Sequence, residues 1–440
     1  MGTLSHKRAA SIRSILLLCT LALSLLALEL AARIWREVAS PAFTHESLRT
    51  NLDYGDTWRK GALGAGGYLL EDFDAFVIDG YGKAVHWRNN SYGFRNAYAI
   101  NPQPDEGTVR ILSLGDSFTA GYRLDQVETF SYLLEDYLNE VEPGKHHQVL
   151  ISCIEDPVTG LLYLQNRGFE FHPQMLLLGI TLGNDIAHSY ASLGRGGTHR
   201  LDDATFRVEP ADAVDKEALM RRFAGMLIPA SHLRSEERRP FPKNRVQRML
   251  QHSALYSSLF VPYQGESVVS GWPDGKKRPR LFSSTNSLGV YMRDAPVAVE
   301  QSFVQLFRVL MGYRQFAAER GIELVVLLFP QRFQVQPPDW WATVRDYRLD
   351  PSRYDVELPN QRILEFCSKQ GIRCLDPTAS MRHVFMQHKR NLYLPNGDMH
   401  WNPRGSRALF AAIRDDLHHA LTNNDDSCLS SPERTGCSER

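Results

Sequence analysis

The sequence has no excess of charge of either sign: 50 Lys and Arg stand against 50 Asp and Glu. The global basic field that draws nucleic acid is therefore absent, and no nucleic-acid partner is expected. Cysteine is sparse, with six in 440 residues, and their spacings match no structural zinc site. No internal repeat is visible, which argues against solenoids and propellers. The bias of disordered chains is missing too, since 43% hydrophobic and 23% charged residues is a globular composition. Long apolar runs are also missing, with one exception.

That exception is N-terminal. Lys7, Arg8 and Arg13 precede an apolar run from Ile15 to Leu28, which continues through Leu30, Ala31 and Ala32 with only Glu29 interrupting. The strict run falls short of the about 20 residues that cross a bilayer, so a cleaved signal peptide and a core helix stand as alternatives. Signal cleavage needs small residues just past the run, and Glu29-Leu30-Ala31-Ala32 fits that poorly. The expectation is an uncleaved signal-anchor, with residues 1–36 forming a cytoplasmic tail and a single transmembrane helix. Basic residues before the run keep the N-terminus cytoplasmic, so the bulk of the chain is expected in the periplasm or outside the cell. In such an oxidising space Cys367 with Cys374, and Cys428 with Cys437, could pair as disulfides; free thiols are the other reading.

Residues 37–107 read as a loop-rich lead-in, punctuated by Gly64-Ala65-Gly66-Gly67 and Pro102-Gln103-Pro104. The main domain is expected over 108–421. Its first strand is Val109–Leu114, and Phe130, Leu133, Leu134, Tyr137, Leu138 and Val141 then recur at helical spacing. A second strand lies around 149–151. A third, Met175–Ile180, is apolar without alternation, as strands buried on both faces of a parallel sheet are. The rhythm breaks over 190–296, a stretch too long for a loop that reads as an insertion with basic clusters such as Lys276-Lys277-Arg278. These clusters read as solvated surface, with anionic glycans or lipid headgroups as the other reading. A helix through Phe303 and Phe316, ended by Gly321, leads to a fourth strand, Leu324–Phe329. A helix through Ile363 and a short strand, Ile372–Leu375, follow, and Asn402-Pro403 opens the last helix. Residues 422–440 form a polar tail. Alternating strands and helices predict an α/β fold with a parallel sheet covered on both faces.

Three short segments fall where the sheet's C-terminal edge would be. Gly115-Asp116-Ser117 sits where the first strand is expected to hand over to a helix, and puts a serine hydroxyl near the free N–H groups of that helix's N-terminus. Gly183-Asn184-Asp185 follows the third strand, and the Asn184 side chain can donate to a developing oxyanion; an ordinary strand-end turn is the plainer reading. Asp398-Met399-His400 precedes the last helix. Residues two apart in an extended segment project to one side, so Asp398 can orient His400 while His400 takes the serine proton. Singly each segment is weak, but the three together describe one catalytic edge. His188 is the rival base, without an acid two residues before it, and His172 lies before the third strand, at the wrong edge. Trp340-Trp341 reads as loop packing rather than a substrate groove.

Gly115-Asp116-Ser117-Phe118-Thr119-Ala120-Gly121, Gly183-Asn184-Asp185 and Asp398-Met399-His400-Trp401-Asn402-Pro403-Arg404-Gly405 resemble the first, third and fifth motif blocks of the SGNH (GDSL-type) hydrolase superfamily. Asn90-Ser91-Tyr92-Gly93-Phe94-Arg95 resembles a stretch that precedes the nucleophile strand in membrane-anchored bacterial members. The resemblance implies a flavodoxin-like three-layer sheet of order 2-1-3-4-5. It implies a Ser117, His400, Asp398 triad, an oxyanion hole from the Ser117 N–H and Asn184, and no metal or cofactor. It also implies ester hydrolysis on a small-molecule or carbohydrate acyl ester. The family's second block supplies a further oxyanion N–H from a glycine. Ser152-Cys153-Ile154-Glu155-Asp156-Pro157 lacks that glycine and leaves Cys153 or Ile154 to serve. Two rival functions remain, O-acyl transfer to a polysaccharide by the same triad and a non-catalytic membrane-tethered scaffold.

Overall fold

The computed structural model describes residues 84–154, 156–194, 197–211, 288–347, 349–394 and 399–429, together with Leu17, 19–31, 58–60, 67–69, 71–72, 74–78, 269–271 and 277–279. The central elements, in chain order, begin with β1 (Thr108–Leu114), α1 (Phe130–Val141), β2 (His146–Ile151), α2 (Pro157–Asn166), β3 (Met175–Thr181) and α3 (Asp185–Leu193). They continue with α4 (Val297–Arg320), β4 (Glu323–Phe329), α5 (Pro337–Tyr347), α6 (Leu358–Gln370), β5 (Arg373–Leu375), α7 (Thr378–His388) and α8 (Pro403–Leu429).

The five strands form one parallel sheet, in the order β2-β1-β3-β4-β5. The whole-chain strand sequence is different, because antiparallel ribbons precede and interrupt this sheet. Asp74–Ile78 pairs with Ala84–Arg88, and His199–Leu201 with Val208–Pro210. Every residue of β3 is buried, as an unbroken apolar strand between helical layers must be. The period of two then divides the core. Leu176, Leu178 and Ile180 face α2, α3, α4 and α6, while Met175 and Leu177 face α1, α7 and α8. Losing one such side chain, as in Leu177→Ala, costs about 2–5 kcal/mol. Gly321 and Gly371 close α4 and α6 in the left-handed region, at φ of 65° and 62°.

The structure bears on two sequence expectations. Among the described residues no helix is long and apolar enough to cross a membrane. In the N-terminal apolar run, Leu17 and residues 19–31 are helical. Of the two readings left open for Cys367 and Cys374, the structure has free thiols. They lie close together, and the Cys367 thiol and burial hold the Cys374 thiol far above its ordinary range. Cys437, the side chain of Cys428, the 37–57 part of the lead-in, most of the 190–296 stretch and the 430–440 part of the tail lie outside what is described.

Under the C-terminal ends of β1 and β3 sits a cavity of about 10 Å³, lined by Asp116, Asp156, Asp185 and Tyr313 among others, the size of a single water. Asp156 uses one carboxylate oxygen to cap α2 at Val158 and Thr159 and the other for the Thr159 and Ser192 hydroxyls. Asp185 is less well served. One oxygen accepts the Thr181 N–H at 2.7 Å, and the other is buried without a partner. Burial, and then the neighbouring Asp116, push its carboxyl well above the usual range. At low pH Asp185 is neutral in the folded and unfolded chain alike. As pH rises past about 4, the unfolded carboxyl ionises while the folded one keeps its proton, so stability falls until the raised folded pKa is passed. Asp185→Asn keeps the oxygen that accepts from Thr181. It is expected to raise Tm at pH 7 and to lose that gain near pH 4; thermal melts across this range test it, and a pH-independent gain would contradict it.

Candidate active site

Ser117 stands on a turn that only this local sequence permits. A Cβ on Gly115 would lie 2.1 Å from Thr119 Oγ1 and 3.2 Å from the Gly179 carbonyl, so residue 115 has no room for a side chain. Asp116 then folds its carboxylate back, and one oxygen accepts the Phe118 N–H at 2.9 Å. The Asp116 and Ser117 carbonyls accept from the Ala120 and Tyr122 N–H groups. The serine is thus raised above the end of β1 with its hydroxyl pointing out of the sheet edge.

His400 meets it there, with Nε2 2.7 Å from Ser117 Oγ. Its ring lies between Phe118 and Tyr122, with ring centroids 4.7 and 4.9 Å away. The segment around it is bracketed by backbone pairing: the Leu394 N–H donates to the His400 carbonyl, and the Asn402 N–H to that of Leu392. Trp401 is the anchor, buried edge-on against Phe118 and Phe329. Asn402 caps α8 with Oδ1, accepting from Arg404 and Gly405, while its amide donates to the Asn391 and Tyr393 carbonyls. Gly405 must be glycine because a Cβ would sit 2.0 Å from the Leu392 carbonyl oxygen. Asp398 falls within 395–398, outside the described residues.

Asn184 opens α3 at the end of β3. Its side-chain amide donates to the second Asp116 oxygen at 3.0 Å, which fixes the amide orientation because a carboxylate only accepts. An Asn amide has two N–H groups, and the second is not used by Asp116. The turn is held from behind by Gln331, whose amide lies flat against Gly183; a Cβ there would be 2.4 Å from Gln331 Nε2. The second-block stretch is partly resolved by its hydrogen bonds. The Ile154 N–H is committed to the Gly115 carbonyl at 2.7 Å, so Ile154 is removed as an oxyanion donor and Cys153 remains.

His188 sits on α3, and it is His400 that reaches the serine. His172 lies before β3, bonded to Gln103 at 3.0 Å at the far edge. Trp340 packs on Phe333 and Tyr354, whereas Trp341 is 59% exposed. Sequence reasoning assigned no role to Tyr122, Gln331 or the Asp116 bridge. Their contacts are tertiary, and only the strand-end position of Gln331 gave a signal. Among the described residues no group of three or more His, Cys, Asp or Glu is arranged to hold a metal ion.

Residues 290–427 match a family described as an SGNH hydrolase-like domain, acetyltransferase AlgX. No curated protein matches the chain. Among solved structures, the acetyl xylan esterase AlAXEase is 9% identical, with 70% of this chain and 100% of that one covered at a TM-score of 0.33. A two-domain esterase active on acetylated mannans, CEX, is 8% identical at a TM-score of 0.31, covering 72% of this chain and 50% of that one. LAE5, an α/β hydrolase from the metagenome of Lake Arreo, Spain, is 10% identical at 0.33, covering 73% and 97%. At TM-scores this low, the likenesses say nothing of this chain's chemistry. Residues 290–427 thus match an SGNH hydrolase-like domain, and the parallel five-stranded sheet agrees with the SGNH-like motifs of the sequence.

Proposed function

We propose that this chain is a serine esterase that cleaves an acyl ester, of a carbohydrate in the cell envelope or outside the cell. The observation that carries the reading is the 2.7 Å approach of His400 Nε2 to Ser117 Oγ at the C-terminal edge of the sheet. In this reading His400 takes the Ser117 proton as Oγ attacks the acyl carbonyl. The Ser117 N–H and the second N–H of the Asn184 amide stabilise the oxyanion, and Asp398 holds the imidazole in the tautomer that leaves Nε2 free to accept. His400 returns the proton to the leaving alcohol, and water resolves the acyl-enzyme.

A second reading has a specific support, the match to a domain described by an acetyltransferase. There the acyl-enzyme is resolved by a sugar hydroxyl, with the same residues in the same roles. The N-terminal segment is proposed to tether the chain to a membrane, with the domain on the non-cytoplasmic side. Support comes from the basic residues before the apolar run and from a helix exposed all round, Leu17 at 72% and Leu26 at 69%.

On a simple ester such as p-nitrophenyl acetate, Ser117→Ala and His400→Ala should each remove nearly all turnover, and the double variant should be little worse. Asn184→Ala should cost about 10²–10³ in kcat. Asp398→Asn should cost up to about 10⁴. Retained turnover in Ser117→Ala would sink the mechanism. Adding a glycan acceptor separates the two readings: undiminished free acid supports hydrolysis, and acyl groups on the glycan support transfer. For the tether, a reporter fused after residue 60 should be active only outside the cytoplasm, and a soluble cytoplasmic full-length protein would refute it.

A further inference from the structure

The Asn90–Arg95 motif has no part in the chemistry above, yet it is built into the turn that carries the serine. Asn90 folds the motif by accepting the Tyr92 and Phe94 N–H groups on its side-chain oxygen, and Gly93 takes φ of 78°. This presents Arg95 to two places at once. Its backbone N–H donates to the Ile151 carbonyl at 2.7 Å, at the last residue of β2. Its guanidinium, fully buried, reaches the loop after the nucleophile, donating to the carbonyls of Ala120, Gly121 and Leu124, that of Gly121 at 2.7 Å. Trp87 covers the guanidinium from the other side, 3.8 Å from its ring centroid.

Both ends of this strut border the reaction. Ile151 is followed directly by Ser152 and Cys153, the stretch from which the SGNH resemblance draws a further oxyanion N–H. The 120–124 loop holds Tyr122, whose N–H donates to the Ser117 carbonyl at 2.8 Å and whose ring packs on His400. Gly121 is pinned between the two sides: it takes φ of 68°, and a Cβ would lie 2.4 Å from Thr129 Cγ2 and 3.2 Å from Arg95 Nη1. Carbonyl oxygens on a tight loop would otherwise repel one another or turn to water, and a planar fork of donors gathers three of them in one plane. Lysine, a point donor on a flexible stem, cannot reproduce that fork.

We infer that Arg95 is a positioning residue that sets the separation between the nucleophile turn and the end of β2, and with it the width of the oxyanion hole. The inference rests on Ser117 being the nucleophile. Misplacement of reacting groups by about 1 Å costs about 10²-fold in rate, and this sets the size of effect expected. The test is the rate of Ser117 labelling by a fluorophosphonate in the full-length protein. It is measured well below Tm for wild type, Arg95→Lys and Val309→Ala, a core truncation on α4 that also lowers Tm. Arg95→Lys should label about 10²-fold more slowly, with faster amide exchange over 117–124, and Val309→Ala should label at the wild-type rate. Equal labelling by Arg95→Lys and wild type would overturn the inference, as would equal slowing in Val309→Ala. If Arg95→Lys does not fold, Trp87→Leu, which uncovers the guanidinium without removing it, decides instead: slowed labelling supports the strut and wild-type labelling overturns it. A wild-type protein that does not label would defeat the serine mechanism and not the strut, which then stands or falls on amide exchange over 117–124 in the same variants.

Discussion

The carboxylate of Asp116 holds together two turns that the sheet brings near each other and does not itself join. One oxygen closes the turn carrying Ser117 through the Phe118 N–H, and the other takes the amide of Asn184 from the end of the neighbouring strand. β1 and β3 are hydrogen-bonded only as far as Leu114 and Leu178, so beyond those residues this side-chain bridge takes over from the ladder. A buried carboxylate is stable there because both oxygens accept well-aligned donors. Asp185, one residue past Asn184, shows the contrast. With one oxygen unpartnered, its burial and the neighbouring Asp116 drive it toward its neutral form. The two aspartates thus differ in their hydrogen bonds, Asp116 accepting on both oxygens and Asp185 on one.

Most of the sheet was legible because its central strands are buried on both faces, so β3 and β4 read as apolar runs of six residues, Met175–Ile180 and Leu324–Phe329. α2 was not legible, for the opposite reason: eight of its ten residues are buried, Pro157 through Leu164, and a helix apolar all round has no stripe for a 3.6-residue period to reveal. α3, α5 and α7 were also passed over, the first because it is short and opens on the residues read as a turn. At the site, Ser117, Asn184 and His400 could be named because each follows a strand or precedes a cap. The bond between Asp116 and Asn184 spans 68 residues, and the reach of Arg95 to Leu124 spans 29; no local pattern records either. The thiols of Cys367 and Cys374 mark another limit, since close spacing in sequence says that two sulfurs can meet and not that they bond.

The loop that carries His400 owes its position to packing more than to its own backbone. Trp401 fills a slot formed by Phe118, Phe130 and Phe329, so the residue after the nucleophile and the residue after the base share one aromatic cluster. Asn402 links that cluster to the start of α8 and to the 391–393 segment in one side chain. A shift in any of these would move Ser117 and His400 together, which protects their relative geometry better than two independent supports could.

Ser117 and His400 are 283 residues apart in the chain. During synthesis the serine turn is made and can fold long before its base exists, and the edge strand β5 and the aromatic slot for Trp401 are completed late. Until His400 and Trp401 have emerged and packed, the hydroxyl lacks the imidazole that stands beside it in the folded chain. On the proposed mechanism, a nascent chain is therefore silent toward esters until His400 is in place beside Ser117.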